Sequence, residues 1–409
     1  MPRVMTSQGV NTDAGADSRP WKQLHDTATV VDMHAHPSLK VSLFKRSLAF
    51  AAGSSRTLCP PSLRTSVSQL RDGGVDVILS AVYAPEHGLE KEWWPIHLLR
   101  FLLPFRWHRY YSGPYLDVTL RMMDELEAEL KKLNARSPKE VVRVVRCREE
   151  LNALLDEPTR PIAFVHCAEG AHCLDGDVDN LQKLADRGLA YLTLAHFYHN
   201  GFAPPCYPFD EKLNRPGFFD ERRDLTRTLT PLGEKLIERM GELGILPDVS
   251  HCTPVARRRV YEILAPDQSL IASHVGVRSI NPSPYNLGDE EIRFIAKRGG
   301  VVAVIFMNYW LVPYETSHGL NEIVQTIRHL VNVGGVDCVA LGTDFDGFTD
   351  PPDDAKDARD LPQLTSRLMA EGFAADEIQR MIGGNALRVL KEHWRVACPP
   401  TPTIASPVP

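Results

Sequence analysis

Eight short runs rich in Val, Ile, Leu and Ala recur along the chain, and each is followed by a segment of helical spacing. The runs are 27–36, 74–84, 161–170, 189–196, 245–251, 269–274, 299–306 and 336–345. They scarcely alternate polar with apolar, so both of their faces must be covered. The helical segments between them carry end signals. "TPLGEKLIERMGELG" opens on Thr230–Pro231 and closes at Gly244, and "TSVSQLRDGG" runs into paired glycines. Helical spacing is also read over 117–133, 138–157, 179–188 and 374–394. Eight strands alternating with helices predict an α/β fold, a closed (β/α)8 barrel of the TIM type with insertions. A doubly wound open sheet is the alternative, and the glycine-rich phosphate loop common in such sheets is absent. Residues 1–20 read as a flexible lead-in, 21–395 as the barrel and 396–409 as a disordered Pro-rich tail.

Charge narrows the function classes. Lys plus Arg number 46 against 52 Asp plus Glu, a net of −6, so no strong basic field favours nucleic acid. No apolar signal core opens the chain and no run of 18 apolar residues occurs, so no transmembrane segment is expected. The eight cysteines are scattered without a CxxC, which reads as mostly reduced thiols and a cytoplasmic protein.

A barrel carries its active site at the C-terminal ends of its strands. Read in order, those ends supply His34 and His36, Glu169, His196, His251, His274 and Asp344; the second and seventh runs end without such a group. Imidazole and carboxylate suit Zn²⁺ and similar divalent ions, Mn²⁺ and Fe²⁺ included. Because strand side chains alternate, His34 and His36 point the same way and can share one ion. Glu169 can bridge two ions, His251 and His274 can complete the second, and Asp344 stands free to accept a proton. Two ions roughly 3.5 Å apart would activate a shared water and polarise a carbonyl. His166 and His172 flank Glu169 and read as structural or supporting groups, as do Asp32, Asp346 and Asp350; His199 reads as a loop residue.

From about residue 28 to residue 395 the chain resembles the membrane (renal) dipeptidase family of metallohydrolases, in the amidohydrolase superfamily. The segments are "VVDMHAH", "HCAEGAH", "LAYLTLAH", "LTPLGEKLIERMGELGILPDVSH", "LIASHVGVRSI", "VALGTDFDG" and "IQRMIGGNALRVL". The resemblance implies two zinc ions per chain, bridged by Glu169, with His34 on the first and His251 and His274 on the second. It implies that His196 holds the oxyanion of a tetrahedral intermediate. Asp344 would take the proton from water and pass it to the leaving amine. The implied substrates are dipeptides, some with a D-residue or a β-lactam in second place.

Two positions depart from the family pattern. The family has H-x-D after the first strand, whereas His34-x-His36 resembles the wider superfamily. Two dications, Glu169, Asp344 and a hydroxide then sum to +1, which favours an anionic substrate group or a more acidic water. In place of the arginine that grips the substrate carboxylate, "PSPYNLGDE" sets Tyr285 before Asn286. A phenol cannot form the bidentate charged fork, a loss of about 2–3 kcal/mol of carboxylate recognition. Arg278 is the candidate substitute, with a surface charge as its other reading. A non-dipeptide amide, ester or lactone is therefore an alternative substrate, and a non-catalytic metal-stabilised binding protein a further one. The aromatic insertion 90–117 reads as a lid or as a subunit contact in a homodimer, with membrane-surface binding the lesser alternative.

Overall fold

The apolar runs form parallel strands, as their double-sided hydrophobicity requires. The computed structural model describes residues 19–49, 62–89, 100–102, 104–206, 224–312 and 319–398. The strands are β1 (Val30–Ala35), β2 (Val75–Val82), β3 (Val142–Val145), β4 (Ile162–Glu169), β5 (Tyr191–Thr193), β6 (Leu246–Asp248), β7 (Ile271–Val275), β8 (Val301–Ile305) and β9 (Val339–Gly342). Eight of them pair in parallel in the order β1-β2-β4-β5-β6-β7-β8-β9. The sheet returns on itself where Asp344 N donates to His34 O at 2.8 Å and His36 N to Phe345 O at 2.8 Å. Their side chains are almost wholly buried, Val31, Ile78, Val165, Leu192, Ile271 and Val302 among them. This is the (β/α)8 barrel expected from the alternation.

One helical reading is corrected. Residues 138–157 form β3 and then a shorter helix, Arg148–Leu155. Val141, Val142, Val144 and Val145 are β-branched and stiff, and this local preference outweighs the i, i+3 spacing. β3 pairs with Ile162–Val165 of β4, while β5 pairs with Ala168 and Glu169 at the far end of the same strand.

The helix ends form where the residues announced them. Thr230 Oγ1 accepts from Gly233 N at 3.0 Å, and Gly244 closes that helix at φ 70°. The last helix breaks into Ala375–Gln379, a π-turn over Arg380–Gly384 and Asn385–His393. A Cβ on Gly383 would lie 1.9 Å from Thr29 O, so glycine is what lets this turn rest on the start of β1.

Residues 1–18 of the lead-in and 399–409 of the tail lie outside the described residues, but 396–398 are tied down. Val396 is buried and Cys398 forms a disulfide with Cys147, 251 residues away. Cys167, Cys173, Cys206, Cys252 and Cys338 are buried and form no disulfide among the described residues, and Cys59 lies outside the described residues. Of the insertion, 90–99 and 103 are likewise outside. The described part is 100–102, the helix Pro104–Tyr111 and the start of the helix Tyr115–Ala135. Arg106 binds it to the end of the helix Pro37–Phe44, which follows β1, by donating to Leu43 O at 2.7 Å and Ser42 O at 3.2 Å. Among the described residues, no helix is long and apolar enough to cross a membrane.

Candidate metal centre

Glu169, the last residue of β4, is the hub. Its Oε1 lies 3.4 Å from His34 Nε2, 3.3 Å from His251 Nε2 and 3.4 Å from His274 Nε2. Its Oε2 lies 3.5 Å from His36 Nε2 and 3.5 Å from His196 Nε2. The ring nitrogens also crowd one another, with His34 and His36 Nε2 3.1 Å apart and His251 and His274 Nε2 2.9 Å apart. Asp344 joins through Oδ1, 3.2 Å from His36 Nε2. All seven strand-end residues of the sequence reading therefore meet, and all are buried.

The outer partners decide which nitrogen carries the proton. Tyr191 Oη donates to Met33 O at 2.9 Å, so at 2.6 Å it must accept from His34 Nδ1. Ser273 Oγ donates to Asp248 Oδ2 at 2.6 Å, so at 2.7 Å it accepts from His274 Nδ1. In both rings the Nδ1 proton faces outward and the Nε2 lone pair faces Glu169, the tautomer that a metal ligand needs. Burial holds His251 below its ordinary value, and burial with its neighbours His34 and His251 holds His274 well below. Bare lone pairs converging on a carboxylate repel without a cation between them, so this donor set fits divalent metal.

Replacing Tyr191 with Phe removes the acceptor that fixes His34. Metal affinity should fall by about 10–100-fold, with hydrolysis recovered by excess Zn²⁺. Titration against a competing chelator measures it, and an unchanged affinity would contradict the role.

Backbone strain clusters here. His251, Asp344, Asp346 and Phe348 hold φ values of 65°, 56°, 69° and 64°. Such left-handed non-glycine residues collect where a site over-determines the chain. A Cβ on Gly347 would lie 2.2 Å from Asp344 Oδ1 and 2.7 Å from His36 Cδ2, so glycine leaves these groups their space. Asp32 accepts from Thr343 Oγ1 at 2.6 Å and from His34 N at 3.2 Å, joining β1 to the end of β9; burial pushes its carboxyl up to about 6.

One participant escaped the sequence reading. Glu86, four residues beyond β2, accepts from His196 Nδ1 at 2.9 Å, from Tyr83 Oη at 3.1 Å and from Tyr198 N at 2.9 Å. Burial pushes its carboxyl up, but the neighbouring His172 and His196 outweigh this and hold it low. The second run thus does contribute a strand-end carboxylate, set in the loop "YAPEH".

Two expected substrate contacts are engaged elsewhere. Tyr285 is fully buried, donates to His274 O at 2.7 Å and stacks on Trp310 with ring centroids 4.1 Å apart. Its phenol braces the strand that carries His274. Arg278 donates to Asn286 O at 3.0 Å and pairs with Glu291 at 3.3 Å. Both side chains bond to groups of the protein where the loop "PSPYNLGDE" folds inward as the wall of the site. His166 pairs with Glu127 at 3.0 Å and His172 with Ala84 O at 2.8 Å, both outside the cluster. Asp346 accepts from Thr65 Oγ1 at 2.5 Å and from Arg64 N at 3.0 Å, a loop cap.

A parallel barrel that gathers imidazoles and carboxylates from its strand ends onto one point has the architecture of a barrel metallohydrolase. The chain belongs to the membrane dipeptidase family, peptidase family M19, whose family model matches residues 19–399. It is a metallohydrolase of dipeptidase-like type. An uncharacterised protein encoded in the pqqA 5′ region of Klebsiella pneumoniae is 32% identical over 256 residues, 62% of this chain and 86% of the relative. The probable dipeptidase PvdM of Pseudomonas aeruginosa shares the fold at a TM-score of 0.70 and 20% identity, over 92% of this chain and 98% of its own. A Rhodobacter sphaeroides metallopeptidase, solved with a phosphinate mimic of the dipeptide L-Ala-D-Ala, shares it at a TM-score of 0.69 and 20% identity, over 90% and 99%.

Proposed function

We propose that the chain hydrolyses an amide bond in a dipeptide or dipeptide-like molecule, using two divalent cations, Zn²⁺ by preference. The observation that carries this reading is the convergence of five imidazole Nε2 atoms on the two oxygens of Glu169, with Asp344 beside them. His34, His36 and Glu169 would hold one cation, and Glu169, His251 and His274 the other. When bound, the cations supply an acidified water and polarise the scissile carbonyl.

The remaining steps belong to side chains. Asp344 Oδ1 faces the cluster and accepts the proton lost by the attacking water, then returns it to the departing amine nitrogen. His196 has Nδ1–H committed to Glu86, so its Nε2 donates only as imidazolium. Burial opposes that form, while Glu169 and Glu86 outweigh burial and raise its pKa. Glu86 thus keeps a charged donor aimed at the carbonyl oxygen as negative charge develops there.

A second reading keeps the metals and exchanges the substrate for an ester, lactone or non-dipeptide amide. It is favoured by Tyr285, whose hydroxyl proton goes to His274 O and is not offered to a free carboxylate. The Cys147–Cys398 disulfide favours an oxidising compartment over the cytoplasmic placement expected from the cysteine scatter. The test is metal analysis coupled to a substrate panel of L,L- and L,D-dipeptides, N-acyl amino acids and lactones. Dipeptide turnover with near-stoichiometric metal supports the first reading. Turnover of lactones alone selects the second. Less than one ion per chain, with no rescue by Zn²⁺ or Mn²⁺, rejects both.

A further inference from the structure

Beside the barrel, the helix Pro104–Tyr111, the end of the helix Pro37–Phe44 and the middle of the helix Tyr115–Ala135 enclose an open cavity of about 870 Å³. Its lining carries six Lys or Arg against Glu125 and Glu129, a local excess of four positive charges (6 − 2) on a chain whose net charge is −6. Most of that charge is uncompensated. Among the described residues no carboxylate pairs with Lys45, Arg46 or Lys132. Arg106 and Arg121 donate to main-chain carbonyls, which leaves their charge in place. Glu129 accepts from Ser47 Oγ and Leu48 N, and Glu125 is taken by Arg109 and Tyr110.

Directly beside this cavity the surface turns apolar. Phe101, Leu102 and Phe105 are 78%, 64% and 91% exposed, and Phe105 also lines the cavity. Residues 100–102 and 104–116 contain no Asp or Glu and hold six of the chain's 32 aromatic residues, so nothing in them opposes an anionic surface.

We infer that this face docks on an anionic phospholipid bilayer, with headgroup phosphates at the basic cavity and Phe101, Leu102 and Phe105 seated at the boundary between headgroups and acyl chains. Exposed aromatics rimmed by Arg and Lys match the two layers of such a surface, apolar below and negatively charged above. A second copy of the chain is a poorer occupant, because a two-fold contact would set the basic cavity against itself. Nucleic acid would satisfy the cations, but it has no place for a projecting Leu102 between the two phenylalanines.

The test uses the full-length, metal-loaded protein and co-sedimentation with phosphatidylcholine vesicles, with and without phosphatidylglycerol. Binding is expected only to the anionic vesicles and should weaken as salt rises. Each basic side chain near such a surface contributes about fivefold, so Lys45→Gln with Arg46→Gln should weaken binding about 25-fold. Phe101→Ser with Phe105→Ser should weaken it at least about tenfold. Hydrolysis of a soluble substrate stays unchanged in both variants, which confirms that they fold. The inference is overturned by equal binding to neutral vesicles, or by binding that both variants retain. It is overturned equally if inorganic phosphate or single-stranded RNA binds the cavity while vesicles do not, or if the phenylalanine variant only dissociates a homodimer.

Discussion

Glu169→Gln is expected to cut bound divalent metal to less than half of the wild-type content and to lower kcat/KM by at least about 10⁴-fold, equivalent to roughly 5.5 kcal/mol of lost transition-state stabilisation. The size follows from position. Five imidazoles face this one carboxylate at 3.3–3.5 Å, three through Oε1 and two through Oε2. An amide keeps the shape but loses the charge that balances two dications. It also turns an NH₂ group toward lone pairs that His34 and His274 hold bare, so the rings bond to the amide and not to metal. Elemental analysis and steady-state kinetics on the same preparation check this. A variant that kept full metal and a normal rate would remove Glu169 from the centre. In the wild type, His251 and His274 are held below the ordinary 6.5, so they stay neutral as pH falls past that value. Burial opposes the charged form of His36, but Glu169 and Asp344 outweigh it and raise its pKa, so acidification should release the cation at His36 before the one at His251 and His274.

The sites that were legible in the sequence share a cause. A buried parallel strand announces its own end, because an apolar run must stop where the chain leaves the sheet, and a barrel puts chemistry there. His34, Glu169, His251, His274 and Asp344 are polar residues at such stops, and each lies in the cluster. Glu86 obeys the same logic but sits four residues past its strand, in a loop without periodicity. A search for carboxylates a few residues beyond every strand end would have reached it. Tyr191, Ser273 and Asp248 were invisible for another reason. Each lies inside a strand, and its role is defined by a neighbour that only the closed sheet brings within reach, as Asp248 does by accepting from Ser273 and, at 2.6 Å, from Thr193.

The elements that the sequence misplaced or left open are those whose outcome depends on partners distant in the chain. Over 138–157 the apolar spacing suited a helix, yet the valines had a strand edge to fill on β4, and edge pairing prevailed. Tyr285 stands in the expected stretch, eleven residues after His274, but the direction of its hydroxyl is set by the fold of the loop against Trp310. Sequence placed the phenol near the site without saying whether it faces a ligand or a carbonyl of the protein. Cys147 and Cys398 are the extreme case, since a separation of 251 residues carries no local signal at all.

Asp344→Asn should leave the metal content and KM close to wild type while lowering kcat by about 10³-fold, within the range for loss of a positioned proton acceptor. The carboxylate is held by the backbone and not by its own charge. Asp344 N donates to His34 O at 2.8 Å, its carbonyl accepts from Thr349 Oγ1 at 2.9 Å, and φ of 56° turns the side chain toward His36. Asn can occupy the same space, since the hydrogen at Gly347 leaves room that any larger residue would fill. What the amide cannot do is accept the proton of an attacking water. The measurement separates two roles that geometry alone leaves close together, because Oδ1 lies only 3.2 Å from His36 Nε2. If the variant loses one metal equivalent and its KM rises, Asp344 is a ligand and the proton must go elsewhere. If only kcat falls, the residue acts where bonds are made and broken, and the charge pattern around Glu169 serves to bring water to it already acidified.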